Sequence, residues 1–509
     1  MKKTTDTTLE IPDFYLPFGG KLLANNRWVH LAKIVPWELV ETCYEENLTQ
    51  TGMGAPPLSG RVAYGALIIK ERLGITDAET VAQITENPYL QYFLGFSELL
   101  KSGPFDESMM VYFRSRFTQE HLITLNEEII ATEVVDKKEE DDEEDEPPSH
   151  SGKLLVDATC TPADIKFPTD LGLLNEAREK TEQIIDDLHA EVLARNPEGS
   201  PTPKKVRTYR LEARKKFLKI AKSKKPGYQK IRKSIRQQLG YVRRNLKYIE
   251  TMCSEREGFL KVLDGYRYKC LLVIQTLYAQ QLEMYKNRTH SVADRIVSIS
   301  QPHVRPIVRG KAGKKVEFGA KVSISHRDGG YVSIDRLSWD AYNESSDLIA
   351  QIENYYARYG YYPQSVHADQ IYQNRENRAY CKEKGIRLAG KPLGRPRKET
   401  AENREELQKE KLQRRQDEID RIPVEGKFGN AKRKGTLQRI MAKLSHTSES
   451  VIHIGFTVLN LDQKLRELLY TLIFVVSRAL QKMVRRKSCL VGNYQFTKIM
   501  EKEALATFS

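Results

Sequence analysis

Three acids, Asp157, Asp369 and Glu425, stand far apart in the sequence, each in a setting that would present a carboxylate. Asp157 closes the apolar run Lys153-Leu-Leu-Val, and Asp369 closes Ser365-Val-His-Ala, so each is read as the end of a short buried strand. If those strands are neighbours, both carboxylates project from one edge of a sheet. Carboxylate oxygens suit hard divalent ions such as Mg²⁺, with Mn²⁺ a possible substitute. Two such ions activate the attacking oxygen and stabilise the leaving one in phosphoryl transfer. Glu425 lies within Arg421-Ile-Pro-Val-Glu-Gly-Lys-Phe-Gly-Asn-Ala-Lys432, where arginine, glutamate and lysine are offset by four and seven residues. At 3.6 residues per turn they share one helical face. A metal-binding acid between two cations for phosphate is one reading of that face, and an ordinary surface ion-pair ladder is the other.

Other residues compete for these roles. Asp164, seven residues after Asp157, is an alternative ligand, a support of the site or a DNA contact. His367 shares the strand face of Asp369 and is read as a structural or supporting histidine rather than a ligand. His303 and His326 have no paired spacing that suggests zinc, and Cys160 is read as core.

The elements that must hold these acids follow from periodicity. After the strand at Asp157 comes a long helical stretch to about Lys286. Val316–Ser325 and Tyr331–Leu337 then alternate as two antiparallel strands joined at Gly329-Gly330. A helix over Ser345–Tyr359, the strand at Asp369, a helix over Arg375–Lys384 and a last strand, Ile386–Ala389, follow. A charged, partly helical excursion from Lys391 to Asp420 precedes closing helices from Arg421 to about Met483. Stripped of insertions, this is a ribonuclease H-like order, an α/β mixed sheet flanked by helices and interrupted by a long basic helical insertion. Ahead of it stands an all-α domain. Ser59 caps a helix that Gly74 ends, Thr76 caps the next, and Pro88 suits the first turn of a third. In Ser108–Phe117, Met109, Met110, Phe113 and Phe117 are expected to face a core, with Arg114 and Arg116 pointing away. This is the pattern of a helix-turn-helix reader and equally of a bundle with solvated arginines.

The expected boundaries are a helical DNA-binding domain at 1–135, an acidic linker at 136–150, a catalytic domain at 151–460 and C-terminal helices at 461–509. The basic insertion spans about 176–290 and the charged excursion about 391–420. The linker carries nine acids between Asp136 and Glu146 against Lys137 and Lys138, then two prolines, and cannot bury a core. Lysine and arginine number 82 in 509 residues against 68 acids, a net charge of +14 that the linker understates. Such a surplus favours a polyanion, nucleic acid first. Its densest part, Lys204–Lys247, holds eighteen lysines and arginines against Glu212 alone, with Tyr209, Phe217, Tyr228 and Tyr241 interleaved. Lys215, Lys216, Lys224 and Lys225 are its candidate phosphate contacts, against the plainer reading of a solvated face. Six scattered cysteines suggest neither a zinc ribbon nor disulfides and fit a reducing cytosol. Leu468–Val476 is far shorter than the ~20 residues of a membrane span and reads as a core helix.

The Arg-x3-Glu-x6-Lys spacing, with Val424 before the acid and Phe428-Gly429 after it, resembles the signature around the catalytic glutamate of insertion-sequence DDE transposases. Leu154-Leu-Val-Asp157-Ala-Thr with Pro162-Ala-Asp-Ile165 is similar to the same group. So are Ala368-Asp369-Gln-Ile-Tyr372, Asn377-Arg378 and Gly385-Ile-Arg-Leu388, and the helical stretch from Leu58 to Phe117. The group carries a tyrosine three residues before the arginine, and this chain has Glu418 there. The resemblance implies a bacterial cytoplasmic, nucleoid-associated enzyme that binds the terminal inverted repeats of its element, cleaves DNA and joins it to a target. It implies Asp157, Asp369 and Glu425 around two Mg²⁺ ions, Arg421 and Lys432 on phosphates, and a homodimer or larger assembly on double-stranded DNA. The alternatives are a ribonuclease H-like nuclease without strand transfer and a domesticated, non-catalytic DNA-binding protein.

Overall fold

The computed structural model of the chain describes residues 21–48, 56–138, 149–256, 258–308, 316–327, 329–390, 398–400, 403–433 and 435–470. Most of the acidic linker, the start of the charged excursion and the C-terminal helices beyond 470 lie outside the described residues, as does Cys489. The chain divides into two compact units, one made of Met1–Pro147, Arg327–Ser333 and Ile454–Ser509, the other of Pro148–His326 and Ile334–His453.

The first unit is helical: α1 (Arg27–Ile34), α2 (Trp37–Glu46), α3 (Gly60–Leu73), α4 (Asp77–Glu86), α5 (Pro88–Phe93), α6 (Met109–Arg116) and α7 (Gln119–Lys138). The start signals act as expected. Ser59 accepts from the Val62 amide, Thr76 accepts from the Glu79 amide, and Pro88 opens α5. Residues 60–71 of α3 are buried on every side, which makes α3 the central rod of the unit. Around it pack Trp28, Trp37, Tyr44, Phe93, Phe113 and Phe117, with Ile454, Val458 and Leu461 from the closing helix over 445–470. Helix α7 runs through Asp136–Lys138, three residues that the acidic run had assigned to the linker.

The second unit is built on a six-stranded mixed sheet, β1 (Lys153–Pro162), β2 (Arg305–Val308), β3 (Val316–Arg327), β4 (Val332–Ser338), β5 (Ser365–His367) and β6 (Arg387–Ala389), in the order β2-β3-β1-β5-β6 with β4 on β3. β1, β5 and β6 run parallel, and β2 is antiparallel to β3. Gly329 and Gly330, with φ of 92° and 89°, make the β3–β4 turn where only glycine is unstrained. β3 also approaches β1 closely: a Cβ on Gly319 would lie 2.1 Å from the Thr161 carbonyl oxygen, so no side chain fits there. Edge strand β2, four residues long, is too short to show an alternating pattern and was not anticipated. The rest follows the ribonuclease H-like order, and the fold class is the α/β one expected.

Four helices form the insertion between β1 and β2: α8 (Asp170–Ala194), α9 (Arg210–Ala221), α10 (Tyr228–Ser254) and α11 (Gly265–Asn287). They bury their own cores, Leu174, Leu239, Val242, Ile274 and Leu277 in one cluster and Ile185, Leu188, Ile249, Met252 and Phe259 in another. Beyond the sheet hairpin come α12 (Leu348–Tyr359), α13 (Arg375–Glu383) and α14 (Arg404–Arg433). α14 corrects the reading of a separate excursion: the stretch before Arg421 and the signature segment are one helix, with Pro423 inside it. Alternation along β1 and β5 sorts the two faces of the sheet. Leu154, Val156 and Val366 pack with Leu348, Ile352, Tyr355 and Tyr372. Lys153, Leu155 and Asp157, with Ser365 and His367, therefore look the other way, toward α14, which packs on β1 and β5.

Candidate active site

Pairing sets the level of the two aspartates. Leu155 of β1 is in register with His367 of β5, and carrying that register two residues further brings Asp157 level with Asp369. Asp157 does not end its strand, as the sequence suggested. It sits mid-strand, just past the last β1–β5 pair, where the sheet opens. Its Oδ1 accepts from the Ala158 amide at 2.8 Å. Burial pushes its carboxyl up to about 6, the negative charges of Asp369 and Glu344 add to this, and the Ala158 amide and Arg421 oppose it. Asp369 lies two residues beyond β5 and leads a 3-10 turn, Gln370–Tyr372, whose last amide donates to its carbonyl at 3.0 Å. The turn is fixed from below. Asn377 Nδ2 donates to the carbonyls of Tyr372 at 3.0 Å and Ser345 at 2.8 Å, and Gln373 Nε2 donates to Ala389 at 2.9 Å.

Helix α14 brings the cations. Arg421 Nη2 lies 2.6 Å from Asp369 Oδ1, and Lys432 Nζ donates to Thr159 Oγ1 on β1 at 2.9 Å. Both ends of the predicted face therefore lie against the sheet, beside Val424, Phe428 and Ala431, which are buried. Glu425 is on that face between them, exposed to solvent and without a hydrogen bond or ion pair among the described residues. The structure thus joins Arg421 to Asp369 directly, places Asp157 where the charges of both are felt, and sets Glu425 one helical turn beyond Arg421.

A second set of charges docks α14, and the sequence reading missed all but one of its members. Asp417 receives both guanidinium nitrogens of Arg387 on β6 at 2.9 Å each, and His367 Nδ1 lies 3.9 Å from the same carboxylate. Asp420 accepts from Lys153 at 2.7 Å. Their spacing by three on a helix was a usable signal, hidden because the stretch was read as an excursion. Glu344, paired with Lys321 at 2.6 Å, had no signal at all, since it reaches the site only through the turn that starts α12.

Other candidates fall elsewhere. Asp164 is held by Arg439, with Nε 2.7 Å from Oδ1, so its carboxylate is engaged away from the pair at the strand ends. His303 packs edge-on against Trp339 at 4.4 Å, and burial lowers it to about 4. Cys160 is buried. In the first unit, the orientation expected for α6 is corrected. Arg114 is buried and grips Asp77 through two bonds of 2.9 and 2.7 Å, and Arg116 bonds the Tyr44 hydroxyl. An acid on α4 and a tyrosine hydroxyl on α2 meet them, which the sequence of α6 by itself does not reveal. In the insertion Lys215, Lys224 and Lys225 are exposed, while Lys216 is engaged by Glu212 at 2.6 Å and Tyr241 at 3.2 Å.

Two family models match the chain. One described as Transposase DDE domain covers residues 366–462, which include Asp369, Arg421, Glu425 and Lys432; another, Transposase domain (DUF772), covers 18–116. The chain is also similar to a protein of Rhizobium meliloti named uncharacterized protein ORF8 in nfe locus, 28% identical over 149 residues, which are 29% of this chain and 68% of that one. No solved structure matches. Among the described residues no helix is long and apolar enough to cross a membrane.

Proposed function

We propose that this chain, which carries matches to two transposase domains and is consistent with an insertion-sequence DDE transposase, binds the terminal inverted repeats of its element, cleaves the DNA there and transfers the freed end to target DNA. One observation carries the reading: a carboxylate on β1 and another just past the neighbouring parallel strand β5, brought level by the register of the two strands, with an arginine from the signature helix resting on the second. Asp157 held near 6 by burial and by a second acid is a site short of positive charge, and hard carboxylate oxygens fit a divalent ion. Asp157, Asp369 and Glu425 would hold two Mg²⁺ or Mn²⁺ ions, which when bound activate the attacking oxygen and neutralise charge on the leaving one.

The remaining work falls to the chain itself. Arg421, at rest on the half-exposed Asp369, would turn to a phosphate oxygen when DNA is bound, where its planar guanidinium can bind two oxygens at once. Lys432, whose Nζ rests on the Thr159 hydroxyl, would supply a second phosphate contact. Both cleavage and joining are in-line displacements at phosphorus, first by water and then by the 3′-hydroxyl. The all-α unit and the basic insertion would bind double-stranded DNA, and pairing two ends calls for at least a dimer. Such an enzyme works in the bacterial cytoplasm, at the nucleoid.

A strand-transfer assay on the element's ends with Mg²⁺ tests this. Asp369→Ala, at a half-exposed position, should leave the fold intact and lower joining on the order of 10³-fold, the several kcal/mol a bound ion contributes. Joining by the variant at the wild-type rate would end the proposal.

A further inference from the structure

We propose that His367, Asp417 and Asp420 form a second divalent-cation site, for a first-row transition ion such as Zn²⁺, on the β5 and α14 segments that precede Asp369 and Arg421. Nδ1 of His367 and one carboxylate oxygen from each aspartate all lie within 4.8 Å of one another. Ligand atoms around an ion at ~2.0–2.2 Å stand a little over 3 Å apart, so a small inward movement completes the set. Asp417 and Asp420, three apart, share one face of α14, and His367 comes from β5 opposite them.

The independent sign is the histidine. His367 is completely buried, its Nε2 is 2.9 Å from Ser365 Oγ, and its Nδ1 has no hydrogen-bond partner. The Asp417 carboxylate stands 3.9 Å from that nitrogen, too far for a hydrogen bond. In the tautomer that donates Nε2–H to the Ser365 hydroxyl, the Nδ1 lone pair is left on the side of the Asp417 carboxylate, where a cation can lie between them. An imidazole fixed through its other nitrogen, facing carboxylates that are themselves hydrogen-bonded from outside, is how metal-ligating groups are held. Here Arg387 and Gln413 hold Asp417, and Gln416 holds Asp420 Oδ1. Lys153, whose Nζ is 2.7 Å from Asp420 Oδ2 and whose side chain is well exposed, is the cation that an ion would displace. The mixed nitrogen and oxygen set favours zinc-like ions over Mg²⁺. An ion here would clamp the signature helix to the strand that leads to Asp369.

The site stands independently of the DNA chemistry proposed above. Metal-free full-length protein titrated with Co²⁺ should show the visible absorption of an imidazole-bearing site of low coordination number, displaced by one equivalent of Zn²⁺. His367→Ala should abolish that band, and Asp369→Ala should keep it while losing DNA joining. Lys153→Gln, a change at an exposed residue, should tighten Zn²⁺ binding about tenfold by removing the competing cation. The proposal is overturned if no such band appears, if it survives His367→Ala or disappears with Asp369→Ala, or if Lys153→Gln binds Zn²⁺ no more tightly than wild type.

Discussion

Helices α6 and α14 each carry a pair of cations that the sequence offered as nucleic-acid contacts, and the two pairs are held in opposite ways. In α6, Arg114 is buried in a two-pronged pair with Asp77 and Arg116 lies against Tyr44, so both are committed to the packing of their own unit. In α14, Arg421 rests on an acid whose side chain is about half exposed, and Lys432 on a neutral threonine hydroxyl. A cation matched to an acid inside a core belongs to the fold. A cation leaning on an exposed acid at a sheet edge can be exchanged for a ligand, because what it leaves behind returns to water or metal at small cost.

Parallel substitutions give the sharpest break of that comparison. Arg421→Ala should lower DNA joining about 10²-fold and change stability by less than ~1 kcal/mol, as for other exposed ion pairs. Arg114→Ala should do the reverse. Among the described residues it leaves Asp77 with only Lys70, 3.7 Å away, and should cost about 2–3 kcal/mol, less than the 3–5 of a wholly buried pair because Asp77 keeps that second cation and some solvent. Urea unfolding and joining rates measured on both variants check this. If Arg114→Ala were stable but defective on DNA, α6 would be a reader after all.

The acids of the two regions separate by pH. Asp157 at about 6 must lose its proton before it can bind a cation, so joining should fall about tenfold per unit as pH drops below 6. Glu71 in α3, next to Arg114's partner network, is raised to about 7 by burial, with Lys70 and Arg114 pulling it down and Asp77 pushing it further up. Its folded pKa lies above its unfolded one, so its contribution is full below about 4.5 and is lost as pH rises through about 7. Glu71→Gln should therefore raise stability at pH 8 by at most about 3 kcal/mol and leave it unchanged at pH 4, as read from denaturant midpoints. A variant no more stable at pH 8 than wild type would place Glu71's charge in a paired network that offsets its burial.

What could be read from the residues alone follows from range. Helix caps at Ser59, Thr76 and Pro88, the Gly329-Gly330 turn and the alternation around Asp157 and Asp369 are local, and their elements formed within a few residues of where they were expected. The face shared by Arg421, Glu425 and Lys432 is also local, and it lies along the sheet. What the sequence hid was partnership between distant segments. Asp77 claims Arg114, Glu344 reaches Asp157, and Arg387, His367 and Lys153 receive Asp417 and Asp420; none of these pairs has a period or a spacing. Periodicity ranks which side of a helix is polar, and only the neighbouring element decides whether that polarity is used inside or outside.

The basic insertion holds both kinds of cation on one hairpin, and so gives the finest test. Lys215, Lys224 and Lys225 are exposed, whereas Lys216 is bonded to Glu212 and Tyr241 and its protonated form is favoured by both. If this hairpin follows DNA phosphates, charge reversal at all four should weaken binding and flatten its dependence on salt, with each lost phosphate contact lowering the log–log slope by about 0.9. Taken singly, Lys215→Ala should lower affinity a few-fold at moderate salt. Lys216→Ala should lower it less, since Lys216 is held by Glu212 and Tyr241 and is less available to a phosphate. Fluorescence anisotropy on a duplex over a salt series measures both. Equal losses for the two lysines would mean that their local partners do not matter to the field that DNA feels, and no loss from the fourfold variant would leave the hairpin a solvated face.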